Sequence, residues 1–113
     1  MLIRPTDALA QLPGPPNALW PSGARSVSVL RHGTLECKLY APRDSDPQPP
    51  HTRDEVYVIV SGNGRFDNGG EVQAVAAGDL LFVPAGRLHR FTQFSEDFST
   101  WVVFYGPEGG EVP

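Results

Sequence analysis

Two segments of the sequence carry side chains that could bind a metal ion. They are the stretch from His51 through Glu55 to Gly62, and the pattern Gly78-x5-Pro84-x-Gly86-x2-His89. In each, a histidine or carboxylate lies near the end of an apolar, alternating run, which is how a β-barrel presents side chains to its interior. Imidazole nitrogens and a carboxylate oxygen suit a first-row divalent ion such as zinc, iron, manganese or nickel. The two segments therefore predict a metal site.

Strand alternation decides which neighbours share the face of this site. If Glu55 points inward, Tyr57 and Ile59 point inward with it, and the valines at 56, 58 and 60 line the other face. An inward carboxylate is costly to bury alone, so Glu55 should face a cation, a metal or a cavity rich in hydrogen-bond donors. In the second segment, His89 shares its face with Phe91. Both inner faces are thus predicted to combine ligands with aromatic side chains.

The rest of the chain predicts short strands and turns. Nine of the twelve prolines fall in residues 1–50 and form two clusters. The first cluster predicts an irregular arm and the second an extended loop. Between them, residues 26–40 are predicted to form a hairpin or two short strands. Later strands are predicted at 55–61, 71–75, 80–83, 89–94 and 100–105, separated by glycine-containing turns. One helical turn is expected from Asp7 to Gln11, with Thr6 as its N-cap. This pattern predicts an all-β sandwich or barrel.

Composition narrows the class of protein. A chain of 113 residues forms one domain. It has 9 basic and 13 acidic residues, and its arginines are scattered along the sequence. Nucleic acid and anionic membranes are therefore poor candidates for partners. The lone Cys37 cannot form an internal disulfide, which suits a reducing compartment. Neither a signal sequence nor a membrane span is apparent, so we expect a cytoplasmic protein.

The second segment resembles a signature motif of the cupins, G-x5-P-x-G-x2-H-x3-N, with Gln93 in place of the asparagine. The spacing from Glu55 to Gly62 resembles the end of their first motif, H-x-H followed by three or four residues, E, six residues and G. His51 and Glu55 keep the family's distance between its second histidine and its glutamate, so the place of the first histidine falls on Pro49. The resemblance implies a reduced metal site of His51, Glu55 and His89, the ligand set of a facial triad with open positions.

Each of these residues also has a structural explanation. His89 could bond a backbone carbonyl, His51 could be an exposed loop residue, and Glu55 could pair with Arg53 or Arg90. Two further residues are candidates for orienting a substrate: Tyr57 and Arg90. Others are expected to lie outside the site, with His32 solvated, Asp54 on the opposite face, and Gly62, Gly78, Pro84 and Gly86 forming turns.

The resemblance implies a double-stranded β-helix, or jelly-roll barrel, of six to eight strands with the metal near its mouth. We expect a proline-rich arm at 1–25, the barrel at 26–106 and a tail at 107–113, with a homodimer as the quaternary state. Cupins include oxygenases, isomerases and non-catalytic binders, so the fold alone assigns no reaction. Two main hypotheses follow: a divalent-metal-dependent oxygenase or isomerase acting on a small polar molecule, or a non-catalytic binder of a sugar or carboxylate with a degenerate metal site. A third, lower in rank, is a structural dimer whose site has decayed.

Overall fold

The computed structural model describes residues 1–113 and contains one short helix and eight strands. Strand sequences rich in β-branched and aromatic residues form the longest pairings, because such side chains pack well on a pleated surface. In chain order the elements are α1 (Pro5–Leu9), β1 (Ser26–His32), β2 (Leu35–Tyr40), β3 (Asp54–Ser61), β4 (Asn63–Asn68), β5 (Glu71–Ala76), β6 (Leu80–Val83), β7 (His89–Thr92) and β8 (Ser99–Tyr105).

The strands form two antiparallel sheets that face each other. The larger sheet has the order β1-β2-β8-β3-β6, and the smaller has the order β5-β4-β7. β3 lies between β8 and β6, so its inward side chains are surrounded by neighbours: Glu55 pairs with Phe104, and Tyr57 with Val102. This arrangement confirms the predicted jelly roll, and it sets the inward face of β3 opposite β7 of the smaller sheet.

The core lies between the two sheets and is rich in aromatic rings. Tyr57 contacts Phe66 and Phe91 edge to face, with ring centroids 5.6 and 5.0 Å apart. Edge-to-face pairs of this kind add stability beyond the area that they bury. The cluster also borders two histidines, because the ring of Phe66 lies 6.1 Å from that of His89 and the ring of Phe104 lies 4.9 Å from that of His51. Its buried members are Tyr40, Tyr57, Ile59, Phe66, Val75, Val83, Phe91, Phe98, Val102 and Phe104.

Three local expectations were wrong. The helix begins at Pro5, with Arg4 as an N-cap that makes no side-chain bond, so Thr6 is inside the helix. β7 ends at Thr92 because Gln93 adopts a left-handed conformation, with a φ of 48°. That conformation favours asparagine among non-glycine residues, which gives a physical reason for the asparagine of the motif. β4 was not predicted at all, since Phe66 is its one large apolar residue.

The outer face of the larger sheet is apolar and only partly covered. Helix α1 packs against β2, whereas Leu80 and Phe82 of β6 remain 67% and 48% exposed. The predicted homodimer would cover this face and stays a prediction, as does the cytoplasmic location. None of the helical structure is long or apolar enough to span a bilayer.

Asp54 joins three segments of the chain at the start of β3. Its carboxylate oxygens accept hydrogen bonds from the backbone N–H groups of Ala85, at 2.9 Å, and Glu111, at 2.8 Å. The residues around it are also joined, because the N–H groups of Gly86 and Gly109 donate to the carbonyls of His51 and Thr52. The strand, the turn before β7 and the C-terminal segment therefore share one junction.

We expect Asp54→Asn to lower the free energy of unfolding at neutral pH. The two backbone N–H donors hold the pKa of Asp54 below its ordinary value, and an asparagine amide replaces one acceptor oxygen with a donor. A lowered pKa stabilises the fold above the pKa of the unfolded chain, and this contribution is lost as the pH falls through the folded pKa. Urea unfolding at pH 7 and at about pH 3 should show a difference that is smaller in acid; a difference equal at both pH values would contradict this account.

Candidate metal centre

Three side chains converge near the first residues of β3 and β7. One possible ligand atom from each of His51, Glu55 and His89 lies within 4.8 Å of the other two. His51 comes from the proline-rich loop before β3, Glu55 from β3 and His89 from the first position of β7. The side chains of Glu55 and His89 are 1% and 0% exposed, whereas that of His51 is 28% exposed. The structure therefore brings together all three predicted ligands, with an opening on the His51 side.

The carboxylate of Glu55 is buried without an aligned hydrogen-bond donor. Its Oε1 lies 2.7 Å from Nε2 of His89 and 4.0 Å from Nε2 of His51. The closer contact is an ion pair only when the imidazole of His89 is protonated, and neither oxygen of Glu55 has a hydrogen-bond partner. Burying an unpaired carboxylate is costly. A cation between the carboxylate and the imidazoles would remove this cost, so the residues present fit a divalent metal ion.

His89 is oriented by its own turn. Its Nδ1 lies 2.8 Å from the carbonyl oxygen of Arg87, and a carbonyl can only accept, so Nδ1 carries the proton. Nε2 of the neutral ring is then left with its lone pair facing Glu55. A carbonyl that fixes the tautomer in this way is typical of metal-binding histidines. Gly86, with a φ of 80°, permits the tight turn that brings the Arg87 carbonyl back to the ring.

The two imidazoles differ in their electrostatic surroundings. Burial lowers the pKa of His51, and Glu55 opposes this effect only in part. Burial also lowers the pKa of His89, but the Glu55 carboxylate and the Arg87 carbonyl outweigh it, so that the net pKa of His89 is raised. His51 is thus the more readily neutral of the two ligands.

Tyr57 lies at the base of the site, and its side chain points inward as predicted. Its hydroxyl is 3.0 Å from Nε2 of His89 and 3.2 Å from Oε1 of Gln48, to which it can donate. Burial, together with the nearby carboxylates of Glu55 and Asp46, raises the pKa of Tyr57 well above its ordinary value. The phenol therefore stays protonated at neutral pH and remains a hydrogen-bond donor.

Two polar residues of the site were missed by sequence reasoning. Asp46 is 2% exposed and accepts hydrogen bonds from the hydroxyl of Tyr40 and the backbone N–H of Phe91. Gln48 bonds Asp46 through its amide nitrogen and His51 through its amide oxygen. Both lie in the proline-rich loop, where no strand period exists to indicate which way a side chain points. The neighbouring prolines were the one available sign that this loop is extended.

A cavity of about 190 Å³ opens beside His51. The side chain of Lys38, the only lysine in the sequence, points into it from β2. Lys38 makes no salt bridge, and its ammonium group lies 5.8 Å from the centre of the Phe104 ring. The remaining lining residues come from the arm, the proline-rich loop and the inner sheet face: Asn17, Leu19, Trp20, Ser26, Tyr40, Gln48, Pro49, Val102 and Phe104.

Other sequence candidates lie away from the cluster. Arg90 is exposed on the face of β7 opposite His89 and is not brought to the site. His32 is exposed, as expected, whereas Asp54 serves the junction described above. Pro49 lines the cavity beside His51 but offers no ligand atom.

Several known proteins are similar to this one in sequence or in structure. An uncharacterized protein of Streptomyces coelicolor is 43% identical over 84 residues, which cover 73% of this chain and 80% of that protein. An acireductone dioxygenase of Drosophila pseudoobscura pseudoobscura is 42% identical over 53 residues, covering 42% of this chain and 28% of the enzyme. Among solved structures, a cupin-2 domain containing protein from Shewanella frigidimarina superposes with a TM-score of 0.68 at 16% identity, covering 93% of this chain and 95% of that one.

The sequence also matches a protein family. Residues 38–105 match the cupin domain family Cupin_2, a range that runs from Lys38 in β2 to the end of β8 and includes all three converging side chains. The match covers more than half of the sequence and includes the second half of β2 and all of β3 to β8. The chain therefore belongs to the cupin family.

Proposed function

We propose that this protein binds a divalent transition-metal ion through His51, Glu55 and His89 and uses it to act on a small polar molecule, as an oxygenase or an isomerase. The observation that carries the proposal is the buried carboxylate of Glu55, which faces two imidazoles and accepts no hydrogen bond. The partial similarity to an acireductone dioxygenase supports an oxygenase as one form of this activity.

Each residue has a separate task in this proposal. A bound divalent ion would supply a Lewis acid that polarises an oxygen of the substrate. Glu55 and the two histidines hold the ion, and the Arg87 carbonyl keeps Nε2 of His89 free to bind. Tyr57 stays protonated and can donate a hydrogen bond to a substrate oxygen. Buried aromatic neighbours, including Phe66 and Phe91, exclude water from the closed end of the site.

Metal analysis of the purified protein tests the proposal directly. We expect about one Fe²⁺, Mn²⁺, Ni²⁺ or Zn²⁺ per chain after incubation with each ion and removal of the excess, and little retention of Ca²⁺, which prefers an all-oxygen site. Oxygen uptake or isomerisation of small carboxylates and sugars would then depend on the retained ion. Protein that retains none of the four ions would contradict the proposal.

A non-catalytic binder is the second candidate. Pro49 stands where the cupin pattern has its first histidine, and the cavity beside it is large enough for a small molecule. Such a protein would bind its ligand with or without metal and would turn nothing over. Ligand binding by the metal-free protein, with no metal-dependent conversion of the same compound, would favour this candidate.

The cavity favours a carboxylate over a neutral sugar as the ligand. Lys38 is an unpaired cation on the cavity wall, and a partly enclosed ammonium group binds a carboxylate more strongly than a hydroxyl. A small carboxylate could contact Lys38 with one end while its other polar group faces His51. The proposed substrate class is therefore a small hydroxy or oxo acid.

We expect Lys38→Met to weaken binding of such an acid about tenfold or more, because the methionine keeps most of the length of the side chain but removes its charge. Calorimetric titration of the metal-loaded protein with pyruvate measures the effect. Lys38→Arg retains the charge and is the matched control. Equal affinities of Lys38→Met and the original protein would show that the ligand does not use this lysine.

A further inference from the structure

Gln48 places a fifth polar atom in the ring of side chains around the proposed metal. Its Oε1 lies 2.9 Å from Nε2 of His51 and 3.2 Å from the hydroxyl of Tyr57. The ring continues from Tyr57 to Nε2 of His89 at 3.0 Å and from there to Oε1 of Glu55 at 2.7 Å. Atoms that bind one first-row ion at about 2.1 Å lie roughly 3 to 3.5 Å apart. The amide oxygen is therefore spaced from His51 as a neighbouring ligand would be.

Asp46 fixes which end of the amide faces the site. The amide nitrogen of Gln48 donates to Oδ2 of Asp46 at 2.7 Å. The same carboxylate accepts from the backbone N–H of Phe91 at 2.9 Å and from the hydroxyl of Tyr40. A carboxylate with three donors is an acceptor only, so the nitrogen of Gln48 must face it and the oxygen must face His51. Asp46 is buried, which makes this orientation rigid.

We infer that Oε1 of Gln48 is the fourth ligand of the metal ion, in the role that the missing histidine at Pro49 leaves open. This inference rests on the proposed metal site. Gln48 directly precedes Pro49 in the sequence, and the extended proline-rich backbone turns its side chain toward the barrel interior, where it lines the cavity with His51. The ligand set becomes two imidazole nitrogens, one carboxylate oxygen and one amide oxygen.

This ligand set has a consequence for metal choice. Exchanging an imidazole for an amide oxygen moves the site toward ions that accept oxygen ligands readily. Carbonyl and carboxylate oxygens suit Mn²⁺, and imidazole suits Fe²⁺, Ni²⁺ and Zn²⁺. Compared with a site of three histidines and one glutamate, the site of this protein should therefore favour Mn²⁺ relative to Zn²⁺ and Ni²⁺.

The experiment compares Gln48→Leu with the original protein, using Co²⁺ and Mn²⁺ as probes. Leucine keeps most of the volume and removes the amide oxygen. We expect the dissociation constant for each ion, measured by competition with a chelator, to rise about ten- to a hundredfold. The visible absorption spectrum of bound Co²⁺ should also change, because it reports the number and type of ligands. Gln73→Leu, at an exposed position of β5, is the matched control.

Two further outcomes separate this inference from the proposed function. Tight Co²⁺ binding in Gln48→Leu, with an unchanged spectrum, would overturn the role of Gln48 and leave the three-residue site intact. Absence of metal binding in the original protein would overturn both. If Gln48→Leu is poorly folded, Gln48→Asn gives the same test. Asparagine keeps an amide, but its side chain is one methylene shorter, so the amide oxygen no longer reaches the proposed ion.

Discussion

Replacing His89 with alanine should abolish stoichiometric binding of divalent transition metals. His89 provides a nitrogen that lies 2.7 Å from Glu55 and is held in place by the Arg87 carbonyl, so no other side chain can take over its position. Loss of a partner that only orients a ligand already costs about ten- to a hundredfold in metal affinity, and loss of a ligand itself should cost more. Metal content after gel filtration measures the result.

The exposed His32 supplies the control for this experiment. His32→Ala removes an imidazole at the end of β1 and should leave the metal content unchanged. Because His89 is buried, its replacement could also disturb packing, and His51→Ala at a partly exposed position gives an independent test. Metal retained at full stoichiometry by both His89→Ala and His51→Ala would place the ion elsewhere.

Saturating metal should raise the melting temperature of the protein by roughly 10 °C. An ion present at a hundred times its dissociation constant stabilises the folded state by about 2.7 kcal/mol, since the unfolded chain does not assemble the site. For a domain of this size, each kcal/mol shifts the melting temperature by about 4 °C. Differential scanning calorimetry with and without Mn²⁺ or Ni²⁺ measures the shift.

The same shift should almost vanish in Glu55→Gln. Glutamine keeps the shape of the side chain but removes the negative charge that faces the two imidazoles. Glu96→Gln, at an exposed loop position, removes an equal charge outside the site and should behave like the original protein. A metal-induced shift of equal size in Glu55→Gln would show that Glu55 does not bind the ion.

The fold and three residues of the site could be predicted because they depend on alternation and turn residues. The alternation of β3 placed Glu55, Tyr57 and Ile59 on one face, and all three are buried. The turn chemistry before His89 fixed the start of β7. β4 was missed because its sequence is mostly polar and contains a glycine, so it has no apolar period. Local pattern therefore indicates a strand only where one face is apolar.

Asp46, Gln48 and Lys38 could not be found in the same way. The first two lie in a loop without periodic structure, and their directions depend on hydrogen bonds to Tyr40, Phe91 and His51 that only the folded chain forms. Lys38 lies in a strand, but a single lysine among alternating residues is usually solvated. Its position on a cavity wall depends on the arm, whose residues Asn17, Leu19 and Trp20 line the same cavity.

The proposed ligands belong to different layers of the barrel, which has a consequence for the dynamics of the protein. Glu55 lies in the larger sheet and His89 in the smaller one, and the two sheets share no strand pairing. An ion held by both would couple its own affinity to the separation of the layers. By reciprocity, any contact that favours the separation of the sheets in the metal-bound protein raises the affinity for the ion, and the bound ion in turn restricts the motion of one sheet relative to the other. A change in the apolar core far from the opening could then alter occupancy without touching a ligand.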